Sequence, residues 1–229
     1  MKTNQRAGRI GFTRLDLLIL AVLAAVAAVL LPLLARPKRP ALGMRCVGNL
    51  RQVGLAYQLW ANDNGNKFPA QVPVADGGAR ELVQSGFAYA SYLVMSNELN
   101  TPKLLICPED PNPRRVIATV FTRPETDVPG NGIPFTNDCN VSYFVGVDAN
   151  VARPTRFISG DANLLVNDSP SEQGMLLLWT NSHVSWQKDM HLQKANVGFG
   201  DGSVQSFKSR KLQEALIKTG MATNRLVLP

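Results

Sequence analysis

The chain has 229 residues, of which 45% are hydrophobic and 18% charged, so it is long enough for one sizeable domain or for a domain with an anchor. Its 15 prolines and 18 glycines argue against a helical bundle and for a body rich in loops. The net charge of +7 comes from residues 1–51, because acidic and basic residues nearly balance in the rest of the chain. A nucleic-acid-binding domain carries its basic patch on the folded body, so this distribution argues against nucleic acid as a partner.

The N-terminal region combines a basic start with a long apolar run. The run LLILAVLAAVAAVLLPLLA, residues 17–35, contains no charged residue. As a helix it would be about 28 Å long, close to the hydrocarbon thickness of a bilayer. The sequence therefore predicts a transmembrane helix over residues 12–35, with the basic N terminus in the cytoplasm. The alternatives are a cleaved secretory signal, an uncleaved signal anchor, and the reverse orientation that the basic RPKRP at 36–40 would favour.

The stretch GRIGFTRLDLLIL, residues 8–20, has a Gly-Phe pair and then a carboxylate at the start of the apolar run, which an ordinary anchor does not explain. It resembles the leader of type IV pilins and type II secretion pseudopilins. The resemblance implies cleavage between Gly11 and Phe12 by a prepilin peptidase, followed by N-methylation of Phe12. It also implies that Asp16, at the position of the family's glutamate, pairs with the new amino terminus of a neighbouring subunit in a filament.

Three features depart from that family's pattern. Asp16 has a shorter side chain than glutamate, and Arg14 stands where the family has an apolar residue. Arg14 offers Asp16 a second partner within the same chain, or it extends to lipid headgroups. Interior prolines kink or end helices, so we expect the family's single long helix to be kinked or broken near residues 32–41, where the chain has Pro32, Pro37 and Pro40.

Residues 41–62 are predicted to form a second helix. An apolar stripe recurs there at spacings of three and four, formed by Cys46, Leu50, Val53, Tyr57 and Trp60. The segment RCVGNLRQVGLAYQLWANDNGNKFP, residues 45–69, resembles pilin-like proteins of the Verrucomicrobia and Planctomycetes type that carry a prepilin-type cleavage/methylation segment. Four further segments resemble signatures of the same family: LLICPED at 104–110, NVSYFVG at 140–146, FISGDANL at 157–164 and MHLQKANVGFGDGSVQSF at 190–207.

The C-terminal third is predicted to contain strands and a short helix. Asp201-Gly202 between two apolar runs predicts a β-hairpin, because both turn positions accept positive φ. The segment GMLLLWT, residues 174–180, has the length of a buried strand. The segment SRKLQEALIK predicts a helix with Ser209 as its N-cap.

The chain has an odd number of cysteines, namely Cys46, Cys107 and Cys139. They permit one disulfide with one thiol left over, or three unpaired thiols. The sequence does not choose among the three pairings.

Four side chains are candidate metal ligands: Asp161, Asp189, His191 and Asp201. A hairpin that folds back on the preceding loop would bring them together, and such a set suits Ca²⁺ or a transition metal. The alternative is that they cap turns, since their spacing matches no closed metal motif. We therefore predict no cofactor, with calcium as the candidate ion because the resemblance to major pseudopilins supports it. No hydrolase, metalloprotease or phosphate-loop motif is present, so the sequence predicts no enzyme.

The resemblance implies an α+β, pilin-like fold, in which a long N-terminal helix with a transmembrane half packs on a small antiparallel sheet with long loops. The expected division is a leader at 1–11, a transmembrane helix at 12–35, a stem at 36–69 and a periplasmic pilin-like domain at 70–229.

The function implied is that of a subunit of a type IV pilus-like or type II secretion pseudopilus-like filament. Its partners would be other pilin-like subunits, the prepilin peptidase/methyltransferase and the bacterial inner membrane. The chain would cross that membrane once, with a cytoplasmic N terminus and a periplasmic or extracellular C-terminal domain. The alternative is a non-polymerising, membrane-anchored periplasmic binding module whose loops at 70–138 form the recognition surface.

Overall fold

The computed structural model of the chain describes residues 13–34, 39–121, 132–188, 190–191 and 194–229. These residues form six α-helices: α1 (Arg14–Leu34), α2 (Arg39–Asp63), α3 (Arg80–Gln84), α4 (Tyr89–Val94), α5 (Ser96–Leu99) and α6 (Ser209–Lys218). They also form eleven strands: β1 (Val120–Phe121), β2 (Pro134–Phe135), β3 (Tyr143–Gly146), β4 (Phe157–Asp161), β5 (Leu164–Val166), β6 (Ser169–Pro170), β7 (Gly174–Trp179), β8 (Val184–Trp186), β9 (Lys194–Phe199), β10 (Val204–Lys208) and β11 (Thr223–Leu228). The chain divides into two compact units, Met1–Lys38 and Arg39–Pro229.

The first unit contains α1, and it corrects the predicted transmembrane helix. Among the described residues, no helix combines the length and the apolar character that crossing a bilayer requires. Helix α1 begins only at Arg14, and its first turn holds two charged residues, Arg14 and Asp16. The transmembrane half of the predicted fold, the membrane assignment and the single-pass inner-membrane localisation are therefore wrong.

The second unit is built on a six-stranded sheet with the strand order β10-β9-β4-β3-β11-β7. Every neighbouring pair in this sheet is antiparallel. Two smaller sheets accompany it, a three-stranded one with the order β6-β5-β8 and a parallel pair of β1 and β2. The second unit is therefore α+β, with a mostly antiparallel sheet.

Alternation along the central strands of the large sheet buries side chains on both of its faces. In β3, Tyr143 and Val145 belong to the apolar core shared with α2, whereas Phe144 belongs to the core shared with α6 and β8. In β11, Val227 faces the first core and Leu226 the second. Since successive side chains of a strand point to opposite faces, the large sheet is the middle layer of three.

A β-bulge in β4 decides which side chains of that strand lie on the α2 side. The register of β4 against β9 shifts between Phe157 and Ser159. After the shift, Asp161 lies opposite Tyr143 of β3, and residues directly opposite share a face of the sheet. The bulge thereby places the Asp161 carboxylate on the α2 side, which is the layer that carries the candidate site.

The predicted second helix and the predicted hairpin are confirmed. Helix α2 covers Arg39–Asp63, and β9 and β10 pair on either side of Asp201-Gly202. Of the two turn residues, only Gly202 has positive φ, +81°. Helix α1 ends at Leu34, and Pro37 lies outside the described residues.

Two predictions for the C-terminal third are wrong. Strand β7 lies at an edge of the sheet, and it leaves Leu177 and Trp179 half exposed, so it is not a buried strand. Ser209 is the first residue of α6 rather than its N-cap, which is Lys208. The Ser209 hydroxyl instead accepts a hydrogen bond from the backbone N–H of Trp186.

Candidate functional site

The candidate site surrounds a buried disulfide between Cys46 and Cys107. Cys46 lies on the buried face of α2, and Cys107 follows the 3₁₀ turn Pro102–Leu105, with 5.4 Å between the two Cα atoms. Cys139 is a free, exposed thiol. Of the three pairings that the sequence leaves open, the structure contains the one between Cys46 and Cys107.

The imidazole of His191 lies against this disulfide. His191 is nearly buried, and its Nε2 lies 3.2 Å from Cys107 Sγ. The same nitrogen lies 3.4 Å from Asp161 Oδ2, and Nδ1 lies 3.3 Å from Glu109 Oε2. The backbone N–H of His191 donates to Glu109 Oε2 as well, which holds this residue in its left-handed conformation with φ of +50°.

The Asp161 carboxylate is completely buried, and within the described part of the chain one of its oxygens has no hydrogen-bond partner. Oδ2 accepts hydrogen bonds from the backbone N–H of Asn196 at 2.7 Å and from its side-chain Nδ2 at 2.9 Å. Oδ1 has no hydrogen-bond partner among the residues that the structure describes. Leaving a buried polar atom unpaired costs about 1–3 kcal/mol, and more when the group is charged, so this oxygen needs an explanation.

The charges around His191 favour its protonated form. Burial alone lowers the pKa of His191, but a hydrogen bond to Asp161 acts in the opposite direction. The charges of Asp161, Glu109 and Asp110 add to that effect, so the pKa of His191 lies above its ordinary value. Asp110 itself pairs with Arg115, whose Nε lies 2.8 Å from Asp110 Oδ2.

The structure brings together two of the four predicted metal ligands, Asp161 and His191. Asp201 lies instead in the exposed turn between β9 and β10, where its Oδ1 accepts the Ser203 N–H. Asp189 lies outside the described residues. The turn-capping alternative therefore describes Asp201, whereas Asp161 and His191 belong to a buried cluster.

Sequence reasoning named Cys46 and Cys107 as possible disulfide partners but did not place them beside His191, and it missed Glu109 and Asn196. One signal for it was present, because LLICPED and MHLQKAN are both segments that resemble the pilin-like family. Neither segment indicates that the two meet, since Cys107 and His191 lie 84 residues apart in the sequence.

The donor atoms of this cluster are of the kinds that hold a transition metal. The Sγ atoms of Cys46 and Cys107 and a ring nitrogen of His191 all lie within 4.8 Å of one another. Sulfur and imidazole nitrogen are ligands of zinc and copper, whereas Ca²⁺ takes six to eight oxygens. While the disulfide is closed, neither sulfur is a thiolate, and the cluster is a buried polar network that joins α2 to β4 and to the segment before β9.

The residues predicted for filament assembly lie elsewhere, at the start of the chain. Gly11 and Phe12 are outside the described residues. Asp16 is the third residue of α1, and its Oδ2 accepts bonds from both the N–H and the hydroxyl of Thr13, each at 2.8 Å. The Thr13 hydroxyl in turn accepts the Asp16 N–H at 3.2 Å, which is the reciprocal pattern of a capping box.

This capping box explains a carboxylate at the start of an apolar helix without any second chain. The two Thr13 hydrogen bonds hold the pKa of Asp16 below its ordinary value. Within the described residues, the recorded partner of Asp16 is Thr13 and not Arg14. Both bonds use the same oxygen, so the other oxygen of Asp16 can accept a further donor.

The side chains of α1 form a continuous apolar surface. From Leu15 to Val26, every large hydrophobic side chain of this helix is about half exposed or more: Leu15, Leu17, Leu18, Ile19, Leu20, Val22, Leu23 and Val26. A helix that is apolar all round is ordinarily buried, whereas these side chains of α1 are exposed among the residues that the structure describes.

The chain thus has two separate groups of candidate functional residues. One is the apolar helix α1 with Asp16 at its start, and the other is the buried cluster around His191. Known proteins do not assign a role to either group, because no protein-family model, no curated protein and no solved structure matches the chain.

Proposed function

We propose that this chain is a subunit of a pilus-like or pseudopilus-like filament, assembled through α1. The observation that carries the proposal is the exposed apolar surface of α1. Burying this surface against the same helix of other copies would stabilise the assembly by a free energy of about 25 cal/mol per Å² of apolar area removed from water. A filament is the assembly in which one kind of helix meets further copies of itself along a single axis.

Asp16 supports the same assembly. Its capping box leaves one carboxylate oxygen able to accept another donor, at the end of the helix nearest the proposed cleavage point. Cleavage between Gly11 and Phe12 would create an amine there. The amine of one copy would pair with the Asp16 carboxylate of the next copy. A charge taken out of water is tolerated only when it is paired, so subunits in any other register would be disfavoured.

The mass of the N-terminal peptide of the mature chain tests the processing step. We expect a peptide that begins at Phe12 and carries one methyl group on its amine. A chain that still begins at Met1 would contradict the proposal, since an uncut leader leaves no amine in the register that Asp16 requires.

The substitution Asp16→Ala tests the pairing step, and Thr13→Ala is its matched control. Asp16→Ala removes the carboxylate and all three bonds of the capping box. Thr13→Ala removes the two bonds of the hydroxyl and keeps both the backbone N–H of residue 13 and the carboxylate. We expect both variants to be cleaved, and incorporation into sheared filaments to fall at least tenfold for Asp16→Ala alone. If both variants lose incorporation equally, Asp16 acts only through the helix cap.

A further inference from the structure

The inference concerns the buried cluster and does not depend on the filament. We propose that Cys46 and Cys107, when reduced, form a zinc site together with His191 and Asp161, and that zinc and the disulfide exclude each other. The four donors are two sulfurs, one imidazole nitrogen and one carboxylate oxygen. This number and mixture of donors match a tetrahedral structural Zn²⁺ site.

Three of the four donors, the two sulfurs and a ring nitrogen of His191, lie within 4.8 Å of one another, and Asp161 adjoins this group through its contact with His191 Nε2. With Zn–S distances of about 2.3 Å and Zn–N or Zn–O distances of about 2.0–2.1 Å, neighbouring donors lie about 3.3–3.8 Å apart. His191 Nε2 already lies 3.2 Å from Cys107 Sγ and 3.4 Å from Asp161 Oδ2. The same nitrogen thus faces both neighbours, and the main change required is the separation of the two sulfurs.

Groups around the four donors are placed as metal sites require. The other ring nitrogen of His191, Nδ1, lies 3.3 Å from Glu109 Oε2, the arrangement in which a carboxylate orients a metal-binding imidazole. Asp161 Oδ2 is held by two donors of Asn196. These contacts fix the orientation of both ligands before an ion arrives.

Oδ1 of Asp161 is a buried acceptor that a cation in this site would satisfy. This carboxylate has an exposed fraction of 0%, and within the described residues Oδ1 accepts no hydrogen bond. A charged group that deep is ordinarily satisfied by hydrogen bonds, paired with a charge or bound to a metal. Zinc bound by this carboxylate would place a positive charge beside Oδ1 in the form of the cluster in which the imidazole is neutral.

The exchange between the two forms balances in electrons, protons and charge. A dithiol reductant breaks the Cys46–Cys107 bond by supplying two electrons and two protons, and it becomes a cyclic disulfide. The two cysteine thiols then release their protons to water as Zn²⁺ binds, and a protonated His191 releases the proton on Nε2, because a metal-bound imidazole is neutral. Two thiolates cancel the two charges of the ion, so the net charge of the buried cluster falls by one, the charge that the imidazolium carried.

Metal titration of the full-length chain in its two redox forms tests the proposal. The chain is purified without oxygen in the presence of a dithiol, transferred to a phosphine reductant, and titrated with Co²⁺ and then Zn²⁺. We expect one Co²⁺ per reduced chain, with a thiolate-to-cobalt charge-transfer band and the visible spectrum of tetrahedral cobalt. Zinc should abolish both signals, and the oxidised chain should show neither.

Single substitutions locate the ion. Cys46→Ser and His191→Ala should each abolish the cobalt spectrum, and Asp161→Asn should weaken binding at least tenfold. Cys139→Ser is the matched control, because Cys139 is an exposed thiol outside the cluster, and it should leave the spectrum and the stoichiometry unchanged.

Three results would overturn the proposal. One is that the reduced chain binds no more metal than Cys46→Ser does, and another is that the oxidised chain binds as much as the reduced one. The third, read from circular dichroism, is a reduced chain that is unfolded and that stoichiometric Zn²⁺ does not refold, because binding to a native site must favour the folded state.

Discussion

The buried carboxylate of Asp138 connects two segments that are distant in the sequence. Its Oδ1 accepts the Tyr89 N–H at 2.7 Å, at the start of α4, and its Oδ2 accepts the Gln173 amide at 3.3 Å, just before β7. Burial raises the pKa of Asp138, while these hydrogen bonds and the charge of Arg115 oppose that rise. Because burial prevails, the folded state favours the neutral carboxyl.

The raised pKa of Asp138 predicts a pH dependence that an amide would lack. The stabilisation of the neutral carboxyl is fully present below the pKa of the unfolded chain, and it is lost as the pH rises through the higher pKa of the folded chain. Asp138→Asn keeps an oxygen for the Tyr89 N–H and carries no charge. We therefore expect the unfolding free energy of the variant, relative to the wild type, to increase from pH 3.5 to pH 7. Urea unfolding at the two pH values measures it, and a difference that is constant or falls would show that burial does not dominate at Asp138.

At the scale of elements, the contact between α2 and the β9–β10 turn depends on the absence of a side chain. A Cβ atom on Gly54 of α2 would lie 2.9 Å from the carbonyl oxygen of Gly202. One helical turn later, Gln58 Nε2 donates to the Gly200 carbonyl at 2.6 Å. The helix therefore lies directly on the hairpin turn, and Gly54 is what permits the close approach.

Gly54→Ala is expected to destabilise the chain although alanine is the better helix former. The propensity gain of about 1 kcal/mol is outweighed by displacement of the turn backbone, for which overpacked sites cost about 1–3 kcal/mol. Gly48→Ala is the matched control in the same helix, because a Cβ there meets nothing within 4 Å. Thermal and urea unfolding should show opposite signs for the two variants. Equal shifts would mean that the turn moves away at no cost.

The elements that the sequence predicts correctly are those whose signals are local. The stripe of α2 and the Asp-Gly turn depend on residues close together in the chain, and both are present. The edge position of β7 and the capping of α6 depend on which strand or side chain lies next to them in the fold. The spacing of residues along the sequence does not contain that information. Ser209 illustrates this, since its hydroxyl accepts a hydrogen bond from the backbone N–H of Trp186 and does not cap the helix.

The candidate site is non-local throughout, which is why sequence reasoning found only half of it. Asp161 and His191 were candidates because of their residue type. Their partners Cys46 and Cys107 come from α2 and from the segment after a 3₁₀ turn, and the bulge in β4 brings Asp161 to the same face. Neither a disulfide pairing nor a bulge has a signature in one sequence.

At the scale of the whole molecule, the two compact units differ in how their apolar residues are used. The second unit buries them on both faces of its sheet and closes the Cys46–Cys107 bond across 61 residues. By loop-closure entropy alone, a cross-link of that span contributes about 4 kcal/mol. The first unit instead leaves the apolar side chains of α1 exposed. The proposed partner of that surface is the same surface on other copies.

The difference between the units predicts that an apolar contact needed for assembly can be removed without unfolding the body. Leu23 of α1 and Leu55 of α2 are the same residue type and are both 58% exposed. Leu23→Glu should reduce incorporation into sheared filaments at least tenfold, because it places a charge in the proposed contact between helices, where an unpaired charge is costly. Leu55→Glu should incorporate like the wild type. Both should leave the melting temperature of the body within about 2 °C, as substitutions on exposed surfaces usually do. If Leu55→Glu abolishes incorporation and Leu23→Glu does not, the filament contact lies on α2, and the exposed face of α1 has another role.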